Sequence, residues 1–501
     1  MTREIHHFID GHTVTGTSGR FGDVYDPALG AVQAKVALAS REEVTKAIDN
    51  AAQAQPAWAA TNPQRRARIL GKFIDLIRAE MDSLAALLSS EHGKVLADAK
   101  GDIERGLDVL EFAMGAPHLL KGEFSDSVGG GIDTYSMRQP LGVVAGITPF
   151  NFPAMIPLWK LGPAIAAGNA FILKPSERCP SVPFRLAELA LAAGLPKGIF
   201  NVVNGDRTAV DALLEDPRVR AYGFVGSTPI AQSIFSRAAE LGKRAQCFGG
   251  AKNHCVIMPD ADLDQVADAL VGAAYGSAGE RCMALSVAIP VGKETADVLV
   301  EKLKERIAPL KVGAYDDPAA DYGPLVGRDA LERVHRYIGE GIAAGATLVI
   351  DGRDLVVAGR EAGFFIGPSL FDNVTADMSI YTDEIFGPVL CILRVDDYEE
   401  ALRLVNDHEY GNGVAIMTNN GGAARDFATR VQVGMVGINI PIPVPIGYYT
   451  FGGWKASSFG DLNQHGPDSF RFYTKTKTVT ERWPSEPSTG AKFIMPLGDQ
   501  S

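Results

Sequence analysis

The chain has 501 residues, 46% hydrophobic and 22% charged, with a formal net charge of -12. That length calls for two or three domains, and the absence of a dense Lys/Arg block or of a run of about 18 apolar residues argues against nucleic acid or a membrane as partner. None of the five cysteines forms a CxxC pair, so no metal site is expected, and their odd number together with the polar start Met1 to His7 predicts a cytoplasmic chain without disulfides or secretory signal.

Residues 40–115 read as helical. Ser40 followed by Glu42 and Glu43 has the character of an N-cap with an acidic first turn, and 65–90 forms a long amphipathic stretch. The texture changes at Gly129, Gly130 and Gly131, after which 132–137 alternates as a half-exposed strand does. Short apolar runs follow at 142–147, 170–173, 199–203 and 221–225, separated by helical stretches such as 181–193. Strands alternating with helices predict an α/β fold with a parallel sheet covered on both faces. A second such region runs from about Cys255 to Ile440, with strands expected at 287–291, 347–350, 389–395 and 413–418. Residues 471–480 alternate Thr with Lys and read as an edge strand, or as one that pairs with another subunit. The Pro/Ser-containing tail after Trp483 is expected to be loosely held.

Four segments are candidates for chemistry. In Gly276-Ser277-Ala278-Gly279-Glu280-Arg281-Cys282-Met283-Ala284 a cysteine follows a cation, and a neighbouring positive charge favours the reactive thiolate. An inert cysteine packed as a small apolar residue is the alternative. Thr148-Pro149-Phe150-Asn151-Phe152-Pro153 follows a strand, and in a parallel sheet the C-terminal strand ends face the ligand crevice. Asn151 there is either an oxyanion donor or a turn residue. Lys174 and Glu177 also follow a strand and suit a ribose as well as a solvated loop. Gly226-Ser227-Thr228-Pro229 is a strong helix start whose N–H groups favour a phosphate. No GxGxxG fingerprint is present.

In this order, with Gly168-Asn169-Ala170, Pro175-Ser176 and Glu384-Ile385-Phe386-Gly387-Pro388, these segments resemble the aldehyde dehydrogenase superfamily over nearly the whole chain. The resemblance implies two Rossmann-like parallel-sheet domains and a small β extension. Residues 1–128 and 141–251 would form an NAD-binding domain, 252–445 the catalytic domain, and 129–140 with 446–501 the extension that joins subunits into a homodimer or homotetramer. Cys282 is then the nucleophile, forming a thioacyl enzyme, with Asn151 and the Cys282 N–H holding the oxyanion. Lys174 and Glu177 match the adenosine-ribose contacts, Glu177 favouring NAD over NADP. Ser227, after Gly226, matches the pyrophosphate contact, Gly249 is a further cofactor-binding residue, Glu384 and Phe386 match the nicotinamide-ribose side, and Thr148, Phe150 and Arg178 flank the cleft.

One departure from the superfamily pattern concerns the last step. Hydrolytic members carry a Glu upstream of the cysteine that activates water. Here the stretch is Gln246-Cys247-Phe248-Gly249-Gly250-Ala251-Lys252-Asn253-His254, with Cys247 or Phe248 in that slot. A coenzyme A thiol needs less help than water. With Ile132-Asp133-Thr134-Tyr135-Ser136 and Phe451-Gly452-Gly453-Trp454-Lys455, the pattern is similar to the methylmalonate semialdehyde dehydrogenases, the CoA-acylating branch. This implies oxidation of methylmalonate or malonate semialdehyde by NAD, giving propanoyl-CoA or acetyl-CoA with loss of CO2. Arg105 and Arg281 match that group's carboxylate-binding arginines, although Arg105 could equally pair with Asp102 or Asp108 on its own helix. A hydrolytic enzyme releasing free acid, and a catalytically silent binding protein, are the alternatives. The histidines suggest no ligand cluster.

Overall fold

Ser40 begins the first long helix by a reciprocal arrangement: its hydroxyl accepts from the Glu43 N–H, and the Glu43 carboxylate accepts from the Ser40 N–H. Such a cap stabilises a helix by about 1 kcal/mol. In the computed structural model, which describes residues 3–129 and 131–483, helices follow at Arg41–Ala59, Pro63–Ala79, Met81–His92 and Leu96–Met114. The expected continuous stretch 65–90 is thus broken at Glu80. Gly130 and the tail beyond Trp483 lie outside the described residues.

Two parallel-centred sheets organise the chain. The first has eight strands in the order Ser458–Phe459, Arg244–Phe248, Val219–Val225, Val143–Ile147, Ala170–Lys174, Phe200–Val202, His7–Ile9, His12–Val14. Its five central strands are parallel, and the outer ones antiparallel. The second has seven: Thr347–Ile350, Ser369–Asp372, Val389–Ile392, Leu285–Pro290, Asn253–Ile257, Gly413–Met417, Met435–Ile438. All neighbours in it are parallel except the first pair. Strands such as Val143–Ile147 and Asn253–Ile257 are buried throughout, as continuous apolar runs covered on both faces require. Each sheet has its own large apolar core.

A third sheet is antiparallel, with Ile132–Pro140 between Phe124–Gly129 and Thr474–Arg482. Its C-terminal strand starts later than expected, because Arg471 and Phe472 still belong to the helix Gly466–Phe472. The outer strands are largely exposed, with Phe124 and Val128 in the open. Among the described residues no helix is long and apolar enough to cross a membrane, and no cluster of His, Cys, Asp or Glu could hold a metal.

Candidate active site

In the first sheet the chain runs outward from Val143–Ile147 in one direction and returns to its other side with Val219–Val225. These neighbours define a topological switch point, where a crevice opens beyond their C-terminal ends. Thr148, Phe150 and Asn151 leave one strand there, and Gly226 and Ser227 leave the other. The resulting cleft measures about 560 Å³. At one end the Lys174 ammonium lies 3.2 Å from the Glu177 carboxylate. Burial alone would raise the Glu177 carboxyl, but Lys174, its own backbone N–H and Arg178 together hold it below the ordinary range. Ser227 is the N-cap of helix Thr228–Glu240, yet its hydroxyl caps nothing. The first-turn N–H groups are therefore free for an anion. Gly249 has no room for a side chain, since a Cβ would stand 2.7 Å from Thr228 Oγ1.

Arg178 flanks the cleft but is engaged. Its guanidinium grips Asp329 through two hydrogen bonds of 3.1 and 2.6 Å and stacks 5.5 Å from the Phe150 ring centre. Asp329 lies in the first turn of helix Arg328–Ala343, which packs on the second sheet, so the pair ties the two halves together beside the crevice.

The second sheet meets the cleft with the opposite, N-terminal edge of its strands. Cys282 precedes Leu285–Pro290, and its carbonyl accepts from two amides: Asn253 Nδ2 at 2.9 Å and Asn412 Nδ2 at 3.1 Å. The loop before it is left-handed at Ser277 (φ 55°), Ala278 (φ 52°) and Gly279 (φ 72°). For the two non-glycine residues this costs roughly 1–2 kcal/mol each. Gly279 is required there, because a Cβ would lie 2.2 Å from the Gly387 carbonyl oxygen. That contact sets the cysteine loop against the segment carrying Glu384 and Phe386. Glu384 is held by the Ala251 N–H at 3.0 Å. Burial pushes its carboxyl up to about 7, against the pull of that N–H, Lys252 and Arg333.

Cys282 separates two cavities. On the side of the first-sheet crevice, about 300 Å³ is lined by Phe150, Asn151, Gly226, Ser227, Glu384 and Phe386. On the other, about 330 Å³ is lined by Arg105, Arg281, Phe152, Trp159, Ile442 and Phe451, among others. Asn151 is buried on the wall of the first of these cavities and donates from Nδ2 to the Glu280 carbonyl at 3.1 Å. Its second amide hydrogen remains for a substrate oxygen.

Two expectations change. Arg281 does not activate Cys282: its guanidinium turns to Asp98 and lies against Gly276. The Cys282 thiol is instead pushed up to about 12, by burial first and the Glu384 charge second. Arg105 pairs with Asp108 at 3.2 Å, and not with Asp102, while still lining the second cavity. Strand alternation resolves the slot of the missing Glu. Cys247 is sealed in the core of the first sheet, and Phe248 joins the apolar cluster of Cys282, Met283 and Phe451. Cys247 is therefore not placed to pair with Cys282.

Sequence reasoning missed Asn412, Arg333 and Lys94, and gave no role to Asn253. Arg333 donates to the carbonyls of Ile385 and Phe386 at 3.0 and 3.4 Å, steadying that segment. Lys252 does the same from below, donating to Ile380 and Asp383 at 2.8 and 2.7 Å. His254 packs with Tyr381 and His408 at ring distances of 5.5 and 5.2 Å.

A strained cysteine loop facing the switch point of a parallel sheet, with an amide donor between, defines a dehydrogenase-like site, and residues 14–479 match the aldehyde dehydrogenase family. The chain belongs to that family. It is 55% identical to a malonate-semialdehyde dehydrogenase of Pseudomonas aeruginosa, over 98% of this chain and 99% of that one. It is 47% identical to the acylating mitochondrial methylmalonate-semialdehyde dehydrogenase of Arabidopsis thaliana, covering 100% of this chain and 82% of that one. Among solved structures, a Sinorhizobium meliloti chain in complex with NAD, assigned as a methylmalonate-semialdehyde dehydrogenase, superposes with a TM-score of 0.96 at 62% identity, covering 97% of this chain and 99% of that one.

Proposed function

We propose that the protein is an NAD-dependent, CoA-acylating dehydrogenase of malonate and methylmalonate semialdehydes. The observation that carries the acylating half is Phe248: in the stretch 246–254, where hydrolytic members carry their Glu, there is no carboxylate, and the side chain that packs beside Cys282 is an apolar ring. The name of the Arabidopsis thaliana relative, which is called acylating, points the same way.

The residues of the cleft fit NAD. Lys174 and Glu177 suit a ribose diol, the uncapped helix start at Ser227 suits a pyrophosphate, and Glu384 with Phe386 lies beside Cys282 for the nicotinamide ribose. When bound, NAD supplies the hydride acceptor. Cys282 Sγ adds to the aldehyde carbon, and the oxygen that becomes negative is held by Asn151 Nδ2 and the Cys282 N–H. Loss of hydride leaves a thioester on Cys282. The thiol of coenzyme A then takes the acyl group and returns Cys282 as a thiol. Arg281 and Arg105 border the second cavity, where a carboxylate on the substrate would share them with Asp98 and Asp108. Decarboxylation is placed after acylation of Cys282 and before coenzyme A takes the acyl group, because the Cys282 thioester carbonyl beta to the carboxylate accepts the electrons; isolation of methylmalonyl-CoA as product would contradict that order.

The test is NADH formation from malonate semialdehyde and NAD, with and without CoA. Sustained turnover should need CoA and yield acetyl-CoA, and Arg281→Gln should raise KM more than it lowers kcat. Equal rates without CoA, with free acid accumulating, would mean that water is activated after all.

The same reading assigns residues 1–128 and 141–251 to NAD binding, 252–445 to catalysis, and 129–140 with the C-terminal strand to subunit contact. The exposed C-terminal strand Thr474–Arg482 supports the last assignment, and its sheet also takes in Phe124–Gly129, almost all of it from the segment given to NAD binding. Light scattering should give the mass of a dimer or tetramer in solution; a monomer would remove the role given to that sheet.

A further inference from the structure

Asn151 does not hold itself in place. Gly93 (φ 96°) ends the helix Met81–His92 in the left-handed conformation, donating to Ser89 O, and the turn sends Lys94 inward. The side chain of Lys94 is 1% exposed, and that of Asp102, on helix Leu96–Met114, is 0%. Lys94 Nζ donates to the Asn151 carbonyl at 2.6 Å and stands 3.3 Å from Asp102 Oδ2. The ammonium also lies 4.4 Å from the centre of the Phe152 ring. Asp102 Oδ1 accepts from the N–H of Met155, the first residue of helix Met155–Ala166, at 2.7 Å.

We infer that Lys94 and Asp102 form a buried clamp that aims Asn151. One member holds the carbonyl of Asn151, and the other holds the helix start four residues on. The segment between them can then neither rotate about its peptides nor slide along its length. On the far side, the Asn151 amide is held by the Glu280 carbonyl of the cysteine loop. Asn151 is thus pinned from both sides, with one N–H left to point where the oxyanion develops. A buried ion pair is seldom more stabilising than an apolar replacement of the same volume. Stability alone therefore does not explain why two charges sit under this segment, whereas positional control does. Neither residue touches the reacting atoms, so both are positioning residues.

The inference rests on the oxyanion role proposed for Asn151, and a double-mutant cycle separates the two. Lys94→Met, Asn151→Ala and the double variant are assayed with malonate semialdehyde at saturating NAD and CoA, together with thermal midpoints. A misaimed donor should lower kcat ~10–100-fold in Lys94→Met with KM little changed, since displacement by about 1 Å costs that much. The double variant should be no slower than Asn151→Ala alone. Multiplicative losses, or a lowered thermal midpoint with unchanged kcat, would overturn the clamp. An Asn151→Ala variant with full kcat would instead overturn the oxyanion reading. Should Lys94→Met fail to fold, the isosteric Asp102→Asn, which still accepts from Met155, goes through the same cycle with the same criteria.

Discussion

Cys282→Ala is expected to remove NADH formation from semialdehyde, a fall on the order of 10⁴- to 10⁶-fold, because among the described residues no other nucleophile lines both cavities. The other four cysteines are buried, and only Cys282 is partly accessible. The free enzyme should nonetheless be slow towards iodoacetamide near neutral pH. Burial, reinforced by Glu384, pushes the thiol up to about 12. At pH 7 the thiolate is then a very small minority of the population. The sign is unambiguous: a raised thiol pKa disfavours the anion, so raising the pH recovers it, and alkylation should climb about tenfold per pH unit up to pH ~10. Glu384→Gln removes the nearby negative charge and should speed alkylation above pH ~7, where the native carboxylate is ionised. Mass spectrometry of the alkylated peptides reads both effects. A plateau near pH 8, or labelling shared among all five cysteines, would show that the thiol is not controlled in this way.

Much of the frame is legible in the chain because its signals are local. The runs at 142–147 and 221–225 become Val143–Ile147 and Val219–Val225, and the turn residues after them mark the crevice. Ser227 and Pro229 likewise mark the helix start by short-range chemistry. Other elements carry no such signal. Arg244–Phe248 begins Arg-Ala-Gln, neither apolar nor alternating, and is a strand because Val219–Val225 offers it a parallel edge. His7–Ile9 and His12–Val14 are only three residues each, too short for a period to show. Within the site, the failure of Arg281 is instructive. Adjacency in sequence suggests that it charges the Cys282 environment, but neighbouring side chains on a bent loop point apart, and Asp98, 183 positions away, takes the guanidinium. Asn253, Asn412 and Lys94 were invisible for the same reason. Each acts through a backbone carbonyl brought to it by tertiary packing, and one-dimensional spacing carries no trace of that.

Asn151→Ala should have the second largest effect, lowering kcat by ~10²- to 10³-fold, which corresponds to about 3–4 kcal/mol of transition-state stabilisation lost with one well-aimed donor. The loss belongs in kcat and not in KM. The aldehyde oxygen of the ground state accepts only weakly, while the oxygen formed by attack of Cys282 carries a full charge, so the amide contributes mainly after the barrier is being climbed. Asn151→Asp is the sharper variant. It preserves the shape of the side chain and the backbone carbonyl that Lys94 holds, yet presents a carboxylate where the Glu280 carbonyl and the developing oxyanion both require an N–H. Repulsion then adds to the lost hydrogen bond, and Asn151→Asp should be slower than Asn151→Ala at neutral pH. Lowering the pH through the carboxyl pKa, which those two oxygens raise, should narrow the gap, because the protonated acid regains a donor. Single-turnover NADH formation followed by stopped flow from pH ~5 to ~8 measures this directly. If the two variants are equally slow at every pH, Asn151 matters for the shape of the turn between Ile147 and Met155, and the oxyanion must be held by the Cys282 N–H alone.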